Sequence, residues 1–192
     1  MNGSVKIGTH NSATGERGKS LKDWILTPFA CCQSKTIKEQ LESGVRYFDL
    51  RVRLNDDEKW ICCHGLWESA RTVHDVLEEI HDWLLFHLDS GYVMITYEGD
   101  ISDIDPNKFH DTVMEWMKWY NEDRLMLTGI SVKKPYGTTL YFNPKAPNLR
   151  HRYLGLGGAT WHTYLPIPWL WKKLYFNNPE FVDDRFTLVD FW

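Results

Sequence analysis

Short apolar runs alternate along the chain with stretches whose apolar positions recur every three or four residues. The runs at 47–52, 60–63, 92–97, 138–142 and 186–190, with a first at 5–8, read as β-strands, and 154–161 reads as a weaker one. Helical spacing begins at Thr36, where Thr36 and Glu39 have capping-box spacing, and stops at Gly44. A second helix begins at Thr72, with Asp75 three residues on. Val76, Leu77, Ile80, Trp83, Leu84 and Leu88 supply its apolar stripe. A third starts at Asp105-Pro106 and buries Phe109, Val113, Trp116 and Met117. Beyond residue 121 the periodicity fades. Pro135, Pro144 and Pro147 mark 133–147 as loop, strand and loop. Strands alternating with helices predict an α/β fold with a mostly parallel sheet.

The run at 47–52 carries more than a strand signal. Side chains alternate in a strand, so Tyr47, Asp49, Arg51 and Arg53 share one face, while Phe48, Leu50 and Val52 share the other. A charged face turned inward suits the lumen of a barrel with a reaction site near the strand ends. His10, Arg51, His64, Glu98 and Asp190 all fall at or near the C-terminal ends of expected parallel strands, the rim where a (β/α) barrel collects its chemistry. With 192 residues and fewer than eight helices, the expectation is a single domain over 1–192, a trimmed or distorted TIM-type barrel with loops in place of some helices.

A formal charge of −4 argues against nucleic acid as the partner, though a local cationic pocket is compatible with it. Residues 1–6 have no apolar signal core, so a cytoplasmic protein is expected, with secretion open if a leader was removed. No run is long enough to span a bilayer. The cysteines form adjacent pairs, Cys31-Cys32 and Cys62-Cys63, without zinc-site spacing, and read as small thiols in a reducing compartment. His74, His81, His87 and His110 fall on helices and read as solvated surface residues.

Two histidines, an arginine and an aspartate in or just past apolar runs make a kit for opening a phosphodiester: two proton transfers near neutral pH and one fixed positive charge. The residues concerned are Gly8-Thr9-His10-Asn11, Phe48-Asp49-Leu50-Arg51 and Cys63-His64-Gly65. Their order and context resemble the X domain of phosphatidylinositol-specific phospholipases C, above all the metal-independent bacterial type. The resemblance is strongest over 5–100 and returns at 183–192. It implies a PLC-like phosphodiesterase barrel that cleaves phosphatidylinositol or a related phospholipid to diacylglycerol and a cyclic inositol phosphate. On it His10 is the general base, His64 the general acid, Arg51 the phosphate-binding cation, Asp49 its supporting carboxylate and Asp190 the aspartate that orients the base.

Two positions depart from the bacterial pattern. Asn11 stands where an Asp supports the general acid, and Glu98 stands where a lysine faces the inositol ring. Glu98 is expected either to accept from ring hydroxyls or to pair with Arg51. Asn11 also resembles a calcium ligand of the eukaryotic branch, but that branch needs an acid where this chain has Arg51, so no metal and no cofactor are expected. Trp161 and His162 line the pocket or form a plain turn. Trp24 and Ile25, and Trp169 and Trp171 beside Lys172 and Lys173, are candidates for peripheral membrane contact or for core packing. A monomer is expected. The alternatives are a phosphodiesterase for another substrate, a metal-dependent relative, or an inactive barrel that binds phosphoinositides or a protein.

Overall fold

Three threonine and serine caps set the helical layer. In the computed structural model, which describes residues 7–120, 123–132, 138–146, 149–152 and 186–189, α1 (Leu21–Ala30) starts from a capping box of Ser20 and Asp23. The same device, with Thr36 and Glu39, starts α2 (Ile37–Glu42), and Thr72 with Asp75 starts α3 (Val73–Phe86). Asp105 caps α4 (Pro106–Lys118), with proline in the first turn. Gly44, at φ 91°, releases the chain from α2 into the central strand.

The strands are β1 (Ile7–Thr9), β2 (Val45–Leu54), β3 (Trp60–His64), β4 (Trp67–Thr72), β5 (Gly91–Tyr97), β6 (Leu125–Val132), β7 (Thr138–Phe142), β8 (Leu149–Arg152) and β9 (Phe186–Val189). They join in the order β7-β6-β5-β2-β1-β9-β8, with β3 and β4 a hairpin branching from β2. The pairs β6-β5, β5-β2, β2-β1, β1-β9 and β9-β8 are parallel, so the expected parallel sheet is present. Among the described residues β7 and β8 do not pair, and no closed barrel is seen.

The alternation along β2 holds as read. Phe48, Leu50 and Val52 lie in the main core with Val76, Leu77 and Ile80 of α3 and Phe109 and Val113 of α4. Tyr47 packs on the opposite face, with Tyr92 and Met94. Its hydroxyl lies 2.5 Å from Thr128 Oγ1, and burial pushes its pKa up to about 12.

Several readings change. The strand ending at His64 is antiparallel to β2, not parallel, and forms a hairpin with β4. The hairpin turns through Gly65-Leu66, where Gly65 adopts φ 58°, a left-handed conformation that glycine enters without steric cost. Leu88 is 75% exposed at φ 53°, past the end of α3, and does not extend the apolar stripe. Helix α1 was not anticipated, because its apolar residues face outward and only Asp23 and Ala30 are buried. Nor were β4, β6 and β8. In β6 the apolar run is broken by Thr128-Gly129, next to a register shift against β5. The weaker strand at 154–161 lies outside the described residues.

Candidate active site

Strand β1 ends at Thr9 and delivers His10 into a loop fixed by buried polar side chains. Gln40 Nε2 donates to the carbonyls of Ser12 (2.8 Å) and Lys35 (2.7 Å), and its Oε1 lies 2.7 Å from the Thr9 hydroxyl. Ser12 Oγ accepts from the Asp49 amide at 2.9 Å, which ties this loop to β2. Gln33 Nε2 donates to the His10 carbonyl at 2.7 Å. Thr14 Oγ1 donates to the Asn11 carbonyl and accepts from the amides of Cys32 and Gln33. Asn11 itself sits at φ 49°, ψ 49°, a left-handed conformation that asparagine tolerates better than most residues.

The loop brings His10 against Arg51 of β2. Arg51 Nη2 donates to His10 Nε2 at 2.9 Å. A guanidinium cannot accept, so His10 Nε2 carries a lone pair in this arrangement. Asp49, fully buried, places Oδ2 at 3.4 Å from Arg51 Nε and 3.5 Å from His10 Nε2, so one carboxylate oxygen serves both groups. Glu98 lies just past β5, and its Oε2 is 3.4 Å from Arg51 Nη1 while Oε1 accepts from the Gly65 amide at 2.9 Å. This is the expected pairing with Arg51.

His64 returns to the same place on the β3–β4 hairpin. Its Nδ1 lies 2.8 Å from the carbonyl of Ala30, the last residue of α1, which fixes the proton on that nitrogen. Asn11 Nδ2 lies 3.3 Å from His64 Nε2 and 3.4 Å from His10 Nδ1. One amide therefore spans the two imidazoles. Burial lowers the His64 pKa, and the charge of Glu98 and the Ala30 carbonyl oppose that shift without reversing it. The Asn11 Oδ1 and Asp49 Oδ1 atoms are buried without a hydrogen-bond partner.

Cys32, also buried, stands 3.4 Å from Asn11 Nδ2 and 4.0 Å from His64 Nδ1. All four cysteines are free thiols. Burial pushes Cys63 up to about 12 and Cys62 higher still, so neither supplies a thiolate at neutral pH. Gln33, Gln40 and Ala30 were not singled out from sequence, and Cys32 was read there only as a small thiol. Isolated glutamines, one in a loop and one in α2, and a backbone carbonyl carry no motif; the one hint was a cluster of small polar residues in 9–14.

Trp24 and Ile25 are 71% and 56% exposed on α1, which excludes the core-packing alternative for both. Asp190, Trp161, His162, Trp169 and Trp171 lie outside the described residues. No helix among the described residues is long and apolar enough to cross a membrane.

The profile of the phosphatidylinositol-specific phospholipase C X domain matches residues 22–148. The chain belongs to this family. The matched span holds Asp49, Arg51, His64 and Glu98, and His10 and Asn11 lie just before it. The human PI-PLC X domain-containing protein 2 is 40% identical over 72 residues, which is 36% of this chain and 21% of that protein. A PI-PLC X-box domain-containing protein of Dictyostelium discoideum is 32% identical over 77 residues, covering 38% of this chain and 10% of that protein. The aligned stretches thus span about a fifth or less of the length of these curated relatives. The phosphatidylinositol-specific phospholipase C from Listeria monocytogenes superposes with a TM-score of 0.56 at 18% identity, over 80% of this chain and 63% of that one. A Staphylococcus aureus phosphatidylinositol-specific phospholipase C, described in connection with modulation of its membrane binding, gives 0.56 at 14% identity over 97% of this chain and 72% of that one. These likenesses establish the PLC-type fold, a TIM barrel in the bacterial enzymes, of which the present strands form an open part.

Proposed function

We propose that this X-domain protein cleaves phosphatidylinositol or a closely related phospholipid by attack of the inositol hydroxyl on its own phosphodiester. The observation that carries the reading is the grouping of two imidazoles on one Asn11 amide with a guanidinium hydrogen-bonded to one of them. His10 takes the hydroxyl proton at Nε2 as the new oxygen–phosphorus bond forms. The bond from phosphorus to the diacylglycerol oxygen then breaks, and that oxygen takes a proton from His64 Nε2. The Arg51 fork, steadied by Asp49 and Glu98, turns from His10 to the phosphate oxygens and stabilises the crowded anionic phosphorus. Asp190, next in the chain after β9 beside β1, is assigned to orienting His10. The products are diacylglycerol and a cyclic inositol phosphate.

No divalent ion enters this scheme, because Arg51 brings its positive charge to the place a cation would take. Membrane contact is assigned to α1. Leu21, Trp24, Ile25 and Phe29 are all exposed on it at helical spacing, next to the site. The free thiols suit a reducing compartment such as the cytoplasm. Phosphorus NMR of phosphatidylinositol vesicles incubated with the protein and a chelator tests the reading. A five-membered cyclic phosphodiester is expected to accumulate. Its absence, with or without added calcium, overturns the proposal in favour of a barrel that binds without cleaving; its appearance only with calcium overturns the metal-free site.

A further inference from the structure

The two pairs of adjacent thiols have different surroundings. Cys62 and Cys63 sit within β3, where side chains alternate between faces, and both are buried. Burial keeps both as thiols. Cys31 and Cys32 follow α1, outside any helix or strand, and Cys31 is partly exposed. Residues 30–33 also touch both histidine-bearing parts of the site. The Ala30 carbonyl lies 2.8 Å from His64 Nδ1. Cys32 Sγ accepts from Asn11 Nδ2 at 3.4 Å, and the amides of Cys32 and Gln33 both donate to Thr14 Oγ1. Gln33 Nε2 donates to the His10 carbonyl at 2.7 Å, and Cys31 Sγ donates to the carbonyl of Gln33. The backbone that carries this thiol pair is thus the link between the His10 loop and the His64 ring.

We infer that Cys31 and Cys32 are a site of reversible oxidation by peroxides, and that a disulfide between them switches the site off; the consequence for turnover rests on the phosphodiesterase reading. The more exposed Cys31 sulfur attacks a peroxide oxygen. The S–O bond forms, the O–O bond breaks, and the other oxygen of hydrogen peroxide leaves as water. Sulfur gives up two electrons and becomes a sulfenic acid. The Cys32 sulfur then attacks it: the S–S bond forms, the S–O bond breaks, and a second water carries off the thiol proton. Consecutive Cα atoms stand about 3.8 Å apart, closer than the roughly 4.4–6.8 Å that disulfides usually span. The bridge is therefore strained and readily reduced again, as a switch in a reducing compartment requires. Closing it turns Cys32 Sγ from Asn11 toward Cys31. Ala30 and Gln33, the neighbours on either side of the pair, move with the ring, and they hold the His64 imidazole and the His10 carbonyl.

Exposure to hydrogen peroxide, quenched with catalase, tests the inference. Alkylation of the unfolded protein and peptide mapping are expected to find Cys62 and Cys63 alkylated, and the peptide holding Cys31 and Cys32 unalkylated and lighter by two hydrogens. Turnover of phosphatidylinositol vesicles is expected to fall at least about tenfold, the least that misplaced catalytic groups cost, and to return with dithiothreitol. Cys31→Ser cannot close the bridge; it is expected to keep the resting activity and to lose the inhibition that dithiothreitol reverses. The imidazole proton resonances of His64, assigned by their loss in His64→Gln, give a readout that needs no turnover. They are expected to shift on oxidation and return on reduction in the wild type, and to stay in place in Cys31→Ser. Absence of the bridge, a bridged protein with unchanged turnover or unmoved His64 resonances, or reversible inhibition that persists in Cys31→Ser overturns the inference. A bridge that moves the His64 resonances in a protein that cleaves nothing in either state sinks the phosphodiesterase reading and leaves the oxidation site standing.

Discussion

At the scale of single residues, the site turns on which end of its amide Asn11 presents. With Nδ2 toward His64, the ring is held neutral: Nδ1–H donates to Ala30 and Nε2 accepts. An imidazolium needs an acceptor at Nε2, and a half-turn of the amide supplies Oδ1, the atom now buried without a partner. Asn11 can therefore accommodate the acid form but adds no charge to favour it. Since burial lowers the His64 pKa, the fraction protonated falls as pH rises through a value below the ordinary imidazole figure of about 6.5. The alkaline limb of kcat/KM against pH, read on a monomeric substrate, is expected below that value. Asn11→Asp places a carboxylate where the amide is, favours the imidazolium and moves the limb upward. One pKa unit corresponds to about tenfold in rate at pH 7. A limb that stays in place in this variant would show that His64 is not the proton donor.

At the scale of elements, the helices and loops that hold the site are secured by buried polar residues in addition to apolar packing. Gln40 of α2 is wholly buried and bonds both Ser12 and Lys35 carbonyls, so Gln40→Leu strands one buried and one part-buried acceptor beside the His10 loop. A loss of about 2–4 kcal/mol in stability is expected from that desolvation, measurable as a drop in urea midpoint. Gly15 is similarly confined: a Cβ there would lie 2.0 Å from the Lys35 carbonyl oxygen, a backbone atom that cannot swing aside. The capping boxes of α2 and α3 were legible because Thr36/Glu39 and Thr72/Asp75 precede buried apolar stripes. Ser20 and Asp23 form the same device at α1, but they lead into an outward apolar face with Pro28 inside it, which periodicity does not separate from a loop.

At the scale of the molecule, that outward face forms an exposed apolar surface beside the site. Leu21, Trp24, Ile25 and Phe29 on α1 are joined by Leu66 at the hairpin tip, all more than half exposed. Fully removing a large apolar side chain from water is worth about 1.5–3 kcal/mol, and partial entry into a headgroup layer less. Trp24→Ala combined with Ile25→Ala is accordingly expected to weaken partitioning onto phosphatidylinositol-containing vesicles about 10- to 100-fold in a sedimentation assay. Unchanged partitioning would move the membrane contact elsewhere on the chain.

The sequence by itself determined the local chemistry: strand and helix identity where apolar period and caps agree, the division of β2 into an apolar and a charged face, and the residue types able to move two protons and hold one phosphate. These are properties of neighbours along the chain. Tertiary structure alone decided that β3 folds back antiparallel to bring His64 to Asn11, that Glu98 spends its charge on Arg51, and that the carbonyl ending α1 sets a tautomer of a ring 34 residues away. Each is a contact between segments far apart in sequence, created by strand pairing and by the need to satisfy buried polar atoms, and neither requirement leaves a periodic trace in the chain.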